Sequence, residues 1–147
     1  MTQTVETLKS LTQTTYDSVE GYRKAAEKAV SPALKQALER RMSERSRTLT
    51  KLNDALKSRG EDPITSSSTV ASMHQVFLNI VDSFENGDEA AAERVEEGED
   101  YIAEKFREVL EDKNDRFDNE TRMVIQSAYR EIREGEKFGD MIERQYA

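Results

Sequence analysis

The chain has 147 residues, of which 35% are hydrophobic and 35% are charged. Its length fits one domain, residues 1–147, with a single sizeable core, and its composition favours long amphipathic helices over a sheet. The net charge of -8 and the pI near 4.9 argue against a nucleic-acid partner or an anionic membrane surface, because both need basic patches. The absence of cysteine excludes disulfides, thiol chemistry and zinc sites built on Cys.

Targeting segments are the next feature that the sequence addresses. The chain lacks an apolar run of about 18 residues, the length that a membrane-spanning helix needs. Its first residues lack the basic start and apolar run of a signal peptide. We therefore expect a cytoplasmic protein without a membrane partner.

The first half of the chain predicts two helices in a hairpin. Apolar residues at helical spacing predict a first helix over roughly residues 4–30. Ser31 as N-cap and Pro32 at the first helical position predict a second helix, which ends at Gly60. A connection this short makes the two helices an antiparallel pair.

The second half predicts a crossover helix and another hairpin. Residues 68–69 begin the crossover helix, Asn86-Gly87 ends it, Asp88 caps a third long helix and Asp118 caps a fourth. The crossover helix of about 18 residues covers about 27 Å, so the second and third long helices run parallel. The predicted fold is therefore an all-α, ferritin-like four-helix bundle: two antiparallel helical hairpins joined by a short crossover helix.

A weak internal repeat is consistent with this pairing of hairpins. Glu20-Gly21 followed by Ala26-Glu27 matches Glu97-Gly98 followed by Ala103-Glu104. A pseudo-twofold arrangement of two hairpins predicts such matches, and long charged helices also produce them by chance. Both interpretations stay open at this point.

A carboxylate interrupts the apolar stripe of the third long helix. Glu99 lies between Val95 and Ile102 on the face that must be buried, where an isolated charge is too costly. Arg45 lies near the middle of the second helix's stripe, and Glu131 lies on the inward face of the last helix. A planar guanidinium binds carboxylates bidentately and stays charged. We therefore predict a buried ion-pair network of Arg45, Glu99 and Glu131.

The alternative for the same interior is a metal site. Glu44, Glu99, Glu131 and Glu134 would supply carboxylate oxygens, a ligand set that favours Mg, Mn or Ca. Ferritin-like proteins with two metals also need Glu-x-x-His on two helices, and that pattern is missing. The first helix offers hydroxyl groups but no acid on its inward face. Redox di-iron chemistry is therefore the least favoured of these interpretations.

Other residues with functional chemistry receive structural interpretations. His74, on the crossover helix, is interpreted as a packed, hydrogen-bonded surface residue. Gly135 and Gly139 lie in a helical seam, where they allow close helix contact or leave room for an aromatic ring such as that of Tyr22. A small pocket at that level is the alternative. Runs of charge such as Glu96-Glu97 are interpreted as solvated helix faces.

Four segments carry a resemblance to a known family: residues 19–27, 39–45, 73–77 and 96–100. With these segments the protein resembles a bacterial ferritin-like four-helix-bundle family of unknown function, often labelled conserved hypothetical or stress-associated. The resemblance implies an all-α fold in a bacterial cytoplasm without an established enzymatic activity. Members of that family place an acid where this sequence has Val19, and Glu44 and Glu99 match the family's acidic positions best.

These observations lead to two functional hypotheses. The first is a non-enzymatic bundle with a role in stress or protein interaction, in which an Arg–Glu network replaces a di-iron site and no cofactor is needed. The second is a metal-binding ferritin-like protein with an Fe or Mn carboxylate site and oxidoreductase or metal-storage activity. Apolar residues on the crossover helix, Val76, Phe77 and Phe84, leave a homodimer or an unidentified protein partner open.

Overall fold

Long helices account for most of the described residues. This computed structural model describes residues 3–67, 77, 79–80, 82–112 and 117–146. Within these residues lie four long helices: α1 (Gln3–Lys28), α2 (Pro32–Ser58), α3 (Asp88–Glu111) and α4 (Asn119–Tyr146). The prediction of an all-α protein with four long helices is confirmed, and the helix ends agree within about two residues, the usual uncertainty of such ends.

The first hairpin is defined by the signals that the sequence carries at its ends. The Ser31 hydroxyl accepts a hydrogen bond of 3.2 Å from the backbone N–H of Leu34, and Pro32 follows at the first helical position. These groups satisfy the free end of α2 and fix where it starts. After α2, Gly60 adopts a φ of +79°, the left-handed conformation that favours glycine beyond a helix end.

Hydrogen bonds at the two ends of the bundle define the helix directions. At one end the backbone N–H of Ser31 donates to Asp88 at 2.8 Å, and the Ser31 hydroxyl shares a hydrogen bond of 3.1 Å with Tyr146. At the other end Arg59 pairs with Asp118 at 2.6 Å. α2 and α3 therefore start at the same end and run parallel. The helices pack as α1–α2, α3–α4, α2–α4 and α1–α3. Because α2 and α3 run in one direction and α1 and α4 in the other, each packed pair is antiparallel.

The polypeptide enters α3 through a short 3₁₀ turn, Phe84–Asn86, followed by Gly87. Gly87 has a φ of +96° and is the N-cap of α3, and it makes no side-chain capping hydrogen bond. The expectation that Asp88 caps this helix is wrong, because Asp88 is its first residue. The Asp88 carboxylate instead accepts hydrogen bonds from the backbone N–H groups of Val30 at 3.2 Å and Ser31 at 2.8 Å. It thus ties the start of α3 to the α1–α2 connection.

Two helix glycines provide the contact surface for the crossover segment. A Cβ on Gly21 of α1 would lie 3.1 Å from Phe77 Cβ, and a Cβ on Gly98 of α3 would lie 2.9 Å from Ile80 Cδ1. Phe77 and Ile80 are helical and buried, so this segment packs over the groove between α1 and α3. The sequence repeat pairs Gly21 with Gly98, and both glycines have the same role in the fold.

Part of the predicted crossover helix lies outside the described residues. This applies to its start at residues 68–69 and to the interpretations of His74 and Val76. The described part ends with helical residues 82–83 before the 3₁₀ turn. The predicted end of this segment at Asn86-Gly87 therefore agrees with the structure.

The buried apolar side chains pack in two clusters. The first consists of Leu8, Leu11, Leu52, Leu56, Ile102, Ala103, Phe106, Ile125, Ala128 and Ile132. The second consists of Tyr22, Ala25, Ala26, Leu34, Leu38, Phe77, Ile80, Ala92, Val95 and Ile142. Buried Ser18, Arg45 and Glu99 fall between the two sets along α1, α2 and α3. A polar layer therefore divides the core near the middle of the bundle.

Charged residues cover the outer faces of the helices. Some form pairs one turn apart, such as Arg94 with Glu97 at 2.7 Å and Arg107 with Glu104 at 2.6 Å. Exposed pairs of this kind add little to stability, because water and salt screen their attraction. None of the described helices combines the length and the apolar character that crossing a membrane requires.

Candidate functional site

The guanidinium of Arg45 joins all four helices at the centre of the bundle. From α2, its Nη1 donates to the Ser18 hydroxyl of α1 at 2.6 Å and to Glu99 Oε1 of α3 at 3.0 Å. Its Nη2 donates to Glu99 Oε2 at 2.7 Å. Its Nε donates to the Glu131 carboxylate of α4 at 2.9 and 3.1 Å. Glu99 is therefore bound bidentately, the geometry that suits a planar guanidinium.

This network is built from charges that are withdrawn from water. Arg45 is 0% exposed and Glu99 is 2% exposed. Burial by itself lowers the pKa of the Arg45 guanidinium, but the charges of Glu99 and then Glu131 raise that pKa above its usual range. Arg45 therefore keeps its proton, and each carboxylate that it binds faces a permanent positive charge.

A second arginine completes the network on the side nearest to solvent. The Arg41 guanidinium donates to the backbone carbonyl of Glu131 at 3.1 Å and also binds the Glu131 carboxylate. The Arg41 and Glu131 side chains are 13% and 14% exposed. Arg41, Arg45, Glu99 and Glu131 together carry two positive and two negative charges, so the network is neutral as a whole.

Tyr22 lies beside the network on α1. Its ring centroid is 5.7 Å from Arg45 Cζ, the arrangement of a cation–π contact. The Tyr22 hydroxyl is buried without a hydrogen bond of good geometry to the described residues. Burial, and next the nearby charge of Glu99, raise the pKa of Tyr22 well above its ordinary value. The phenol therefore stays neutral and adds no charge to the layer.

Two glycines of α4 make room for this arrangement. A Cβ on Gly135 would lie 1.6 Å from Glu99 Oε2 and 2.4 Å from Arg45 Nη2. A Cβ on Gly139 would lie 3.0 Å from the backbone Cα of Glu96. Gly135 therefore gives the ion pair its space, whereas Gly139 allows α3 and α4 to approach closely. The Tyr22 ring, which the sequence suggested as an occupant of this space, instead packs against Arg45 and Phe138.

The four glutamates considered as metal ligands do not meet in one place. Glu99 and Glu131 both bind Arg45. The side chain of Glu44 is 43% exposed and pairs with Arg47 at 3.2 Å. The side chain of Glu134 is 62% exposed and pairs with Lys137 at 3.4 Å. The structure thus brings together the residues of the predicted ion-pair network and leaves Glu44 and Glu134 on the outside of the bundle.

A comparison with known families places the protein. A family model described as a domain of unknown function (DUF2383) matches residues 3–112. The chain belongs to this family. No curated protein and no solved structure matches it.

The match to DUF2383 covers part of the network only. Ser18, Arg45 and Glu99 lie within the matched residues. Glu131 and Gly135 lie on α4 (Asn119–Tyr146), beyond them. The DUF2383 segment therefore supplies the guanidinium and one of its carboxylates, and the following helix supplies the other.

A second group of carboxylates lies where α3 and α4 approach each other. Glu96, Asp100 and Asp140 place carboxylate oxygens within 4.8 Å of one another. A hydrogen bond with Asp100, then burial, then contact with Glu143 raise the pKa of Glu96 to about 8. The Glu96 carboxyl group therefore binds a proton more tightly than an isolated glutamate does. The charge pattern alone predicts only a solvated face here, because it carries no sign of the acids on α4.

Sequence reasoning missed Arg41 of the site and the buried acid Asp17 of α1. The position of Arg41 along α2 does not distinguish it from exposed charged residues. Its contact with Glu131 shows that the Arg41 side chain turns inward. Asp17 is a buried acid on α1 that receives a hydrogen bond of 3.2 Å from Gln13.

Proposed function

We propose that this protein is a non-enzymatic, ferritin-like four-helix bundle that acts through contacts with other proteins. In this proposal the Arg45 network takes the place that a pair of metal ions has in metal-binding members of that architecture. The observation that carries the proposal is the position of the Arg45 guanidinium, fully buried and in contact with a residue from each of the other three helices.

The carboxylate oxygens of the network support this proposal. Both oxygens of Glu99 accept hydrogen bonds from Arg45. The Glu131 carboxylate is bound by Arg45 and Arg41. A metal ion would have to compete with these charge-assisted bonds and would also meet the repulsion of a fixed cation. The interior therefore suits a static structural role better than exchangeable binding.

The parallel course of α2 and α3 supports the architectural part of the proposal. Two hairpins joined by one long crossover form the ferritin-like arrangement. Here the crossover segment passes over the α1–α3 groove, with Phe77 buried against Gly21. The metal-binding alternative has one favourable observation, the meeting of Glu99 and Glu131 at the bundle centre. The other two acids considered as ligands do not join them, because the Glu44 and Glu134 side chains are half-exposed or exposed.

Metal analysis of the purified protein is the first test. We expect no stoichiometric metal, and the same melting temperature with added Fe(II), with added Mn(II) and with a chelator. Stoichiometric metal together with a higher melting temperature would contradict the proposal and favour the Fe or Mn carboxylate site.

Substitution of Arg45 is the second test, with Arg47 as its matched control. Arg47 is on the same helix and pairs with Glu44, but its side chain is 74% exposed. We expect R45A to lower the free energy of unfolding by about 3–5 kcal/mol, because it leaves buried carboxylates unpaired. We expect R47A to change it by less than about 1 kcal/mol.

The result for R45A also separates the two hypotheses. A variant that is destabilised and does not respond to metal supports the structural network. A variant that keeps wild-type stability would contradict it. Analytical ultracentrifugation of the wild type tests whether the protein partner is a second copy of this chain.

A further inference from the structure

The junction between the crossover segment and α3 carries a dipeptide with its own chemistry. Asn86 is the last residue of the 3₁₀ turn and is exposed, and Gly87 follows it with a φ of +96°. Glycine has no Cβ, so nothing shields its backbone nitrogen from the preceding residue's amide. Asn86-Gly87 is the only Asn-Gly dipeptide of the sequence.

We propose that Asn86 is a site of spontaneous deamidation that converts the junction before α3 into an aspartate or isoaspartate linkage. The Gly87 nitrogen, after loss of its proton, attacks the carbonyl carbon of the Asn86 amide group. A new C–N bond closes a five-membered ring, the bond from that carbon to the amide nitrogen breaks, and ammonia leaves with the proton restored. Water then opens the resulting succinimide at either carbonyl. The product at position 86 is an aspartyl residue or its isoaspartyl isomer, formed with no oxidant or cofactor.

The structure shows what controls the rate of this reaction. The backbone N–H of Gly87 donates a hydrogen bond of 3.1 Å to the carbonyl of Phe84, and this bond must open before the nitrogen can react. It closes a single 3₁₀ turn of three residues, whose hydrogen-bond geometry is poorer than that of an α-helix. Local opening of such a short turn is far easier than unfolding of the bundle.

Asn53 provides the contrast within the same protein. Its amide group donates to the carbonyl of Ile64 at 3.1 Å and accepts from the backbone N–H of Ile64 at 2.8 Å. It lies inside α2 and is followed by Asp54 rather than glycine. Both its hydrogen bonds and its neighbour therefore oppose ring formation, so Asn53 is the matched control.

The position of Asn86 gives the modification a structural consequence. The Gly87 carbonyl accepts the first hydrogen bond of α3, from Ala91 at 3.2 Å. The next residue, Asp88, binds the backbone of Val30 and Ser31. An isoaspartyl linkage adds a methylene group to the backbone directly before these contacts. Conversion therefore loosens the attachment of α3 to the α1–α2 connection, independently of the proposed function.

The test is incubation of the full-length protein at mildly alkaline pH in ¹⁸O-labelled water, followed by peptide mass spectrometry. We expect Asn86 to give the first-formed product, with label incorporated and a rate that rises with pH, because the Gly87 nitrogen must lose a proton. Conversion of Asn86 no faster than that of Asn53 would overturn the proposal.

Two variants complete the test. N86Q keeps the amide but disfavours the five-membered ring, so the first-formed product should be lost. N53Q should leave it unchanged. Hydrogen exchange of the aged wild type reports the consequence: we expect lost protection at Val30 and Ser31 in the isoaspartyl fraction only. Persistence of the product in N86Q would refute the assigned site.

Discussion

At the scale of single residues, the interior depends on the space that a glycine leaves free as much as on the pairing of opposite charges. Arg45 and Glu99 form a bidentate pair whose atoms occupy the volume that a larger residue at position 135 would need. The glycine therefore belongs to the ion pair as a structural requirement. Protein interiors are close-packed, so one added methyl group displaces the atoms around it.

The prediction at this scale concerns G135A, with G98A as its matched control. We expect G135A to lower the free energy of unfolding by about 3 kcal/mol or more, because the new methyl group overlaps Glu99 Oε2 and would separate buried charges. Both glycines are in helix interiors, but the atom nearest to a new Cβ on Gly98 is the flexible end of Ile80.

Helix propensity favours alanine over glycine by about 0.5–1 kcal/mol, so G98A should stay within about 1 kcal/mol of the wild type. Urea denaturation of both variants measures the difference. Equal stability of G135A and G98A would show that the ion pair does not occupy the space beside position 135.

At the scale of helices, the pairing of α3 with α4 combines close approach with like charge. Gly139 lets the two backbones come near at Glu96. The carboxylates of Glu96 and Asp100 on α3 then face Asp140 and Glu143 on α4. Close packing holds these acids together, and their repulsion favours the protonated form of Glu96.

This arrangement predicts a dependence of stability on pH. The folded protein binds a proton on Glu96 up to a pKa of about 8, whereas the unfolded protein releases it near 4.5. The contribution of this group is therefore most favourable below pH 4.5 and declines as the pH rises towards 8. We expect E96Q to remove that decline and to melt at a higher temperature than the wild type above pH 8.

Glu97 is the control for this experiment, because it is exposed and pairs with Arg94 at 2.7 Å. E97Q should keep the wild-type dependence of melting temperature on pH. If E96Q and the wild type show the same dependence, the neighbouring acids do not raise the pKa of Glu96.

At the scale of the whole molecule, all four long helices contribute residues to the core. α4 contributes Ile125 and Ile132 to one apolar cluster and Ile142 to the other. It also contributes Glu131 to the charge network. The region matched by the family model, residues 3–112, ends before this helix. The four-helix structural unit therefore extends beyond the region that the family model matches.

A truncated protein of residues 1–112 tests this difference. Without α4, the apolar faces of α2 and α3 would be exposed and Arg45 would lose one of its carboxylates. We expect the fragment to lose cooperative unfolding and to aggregate or bind a hydrophobic dye. Circular dichroism and thermal melting of the fragment and the full-length protein measure this. A fragment with a sharp, reversible transition would show that three helices suffice.

Much of the architecture was predictable because it depends on local signals. Helix periodicity, the Ser31-Pro32 start of α2 and the Gly60 end need only neighbouring residues. The interruption of an apolar stripe also placed Arg45 and Glu99 in the interior, since helical spacing decides which residues share a face.

The sequence by itself determined the helices, their order and the fact that charge enters the core. The tertiary structure decided which charges meet: that Arg41 turns inward, that Glu44 and Glu134 stay outside, and that Asp88 binds the α1–α2 connection. It also decided that Gly135 leaves space for an ion pair rather than for an aromatic ring. These outcomes depend on the rotation and distance of helices that are far apart in the sequence, and helical periodicity within one segment carries no information about either quantity.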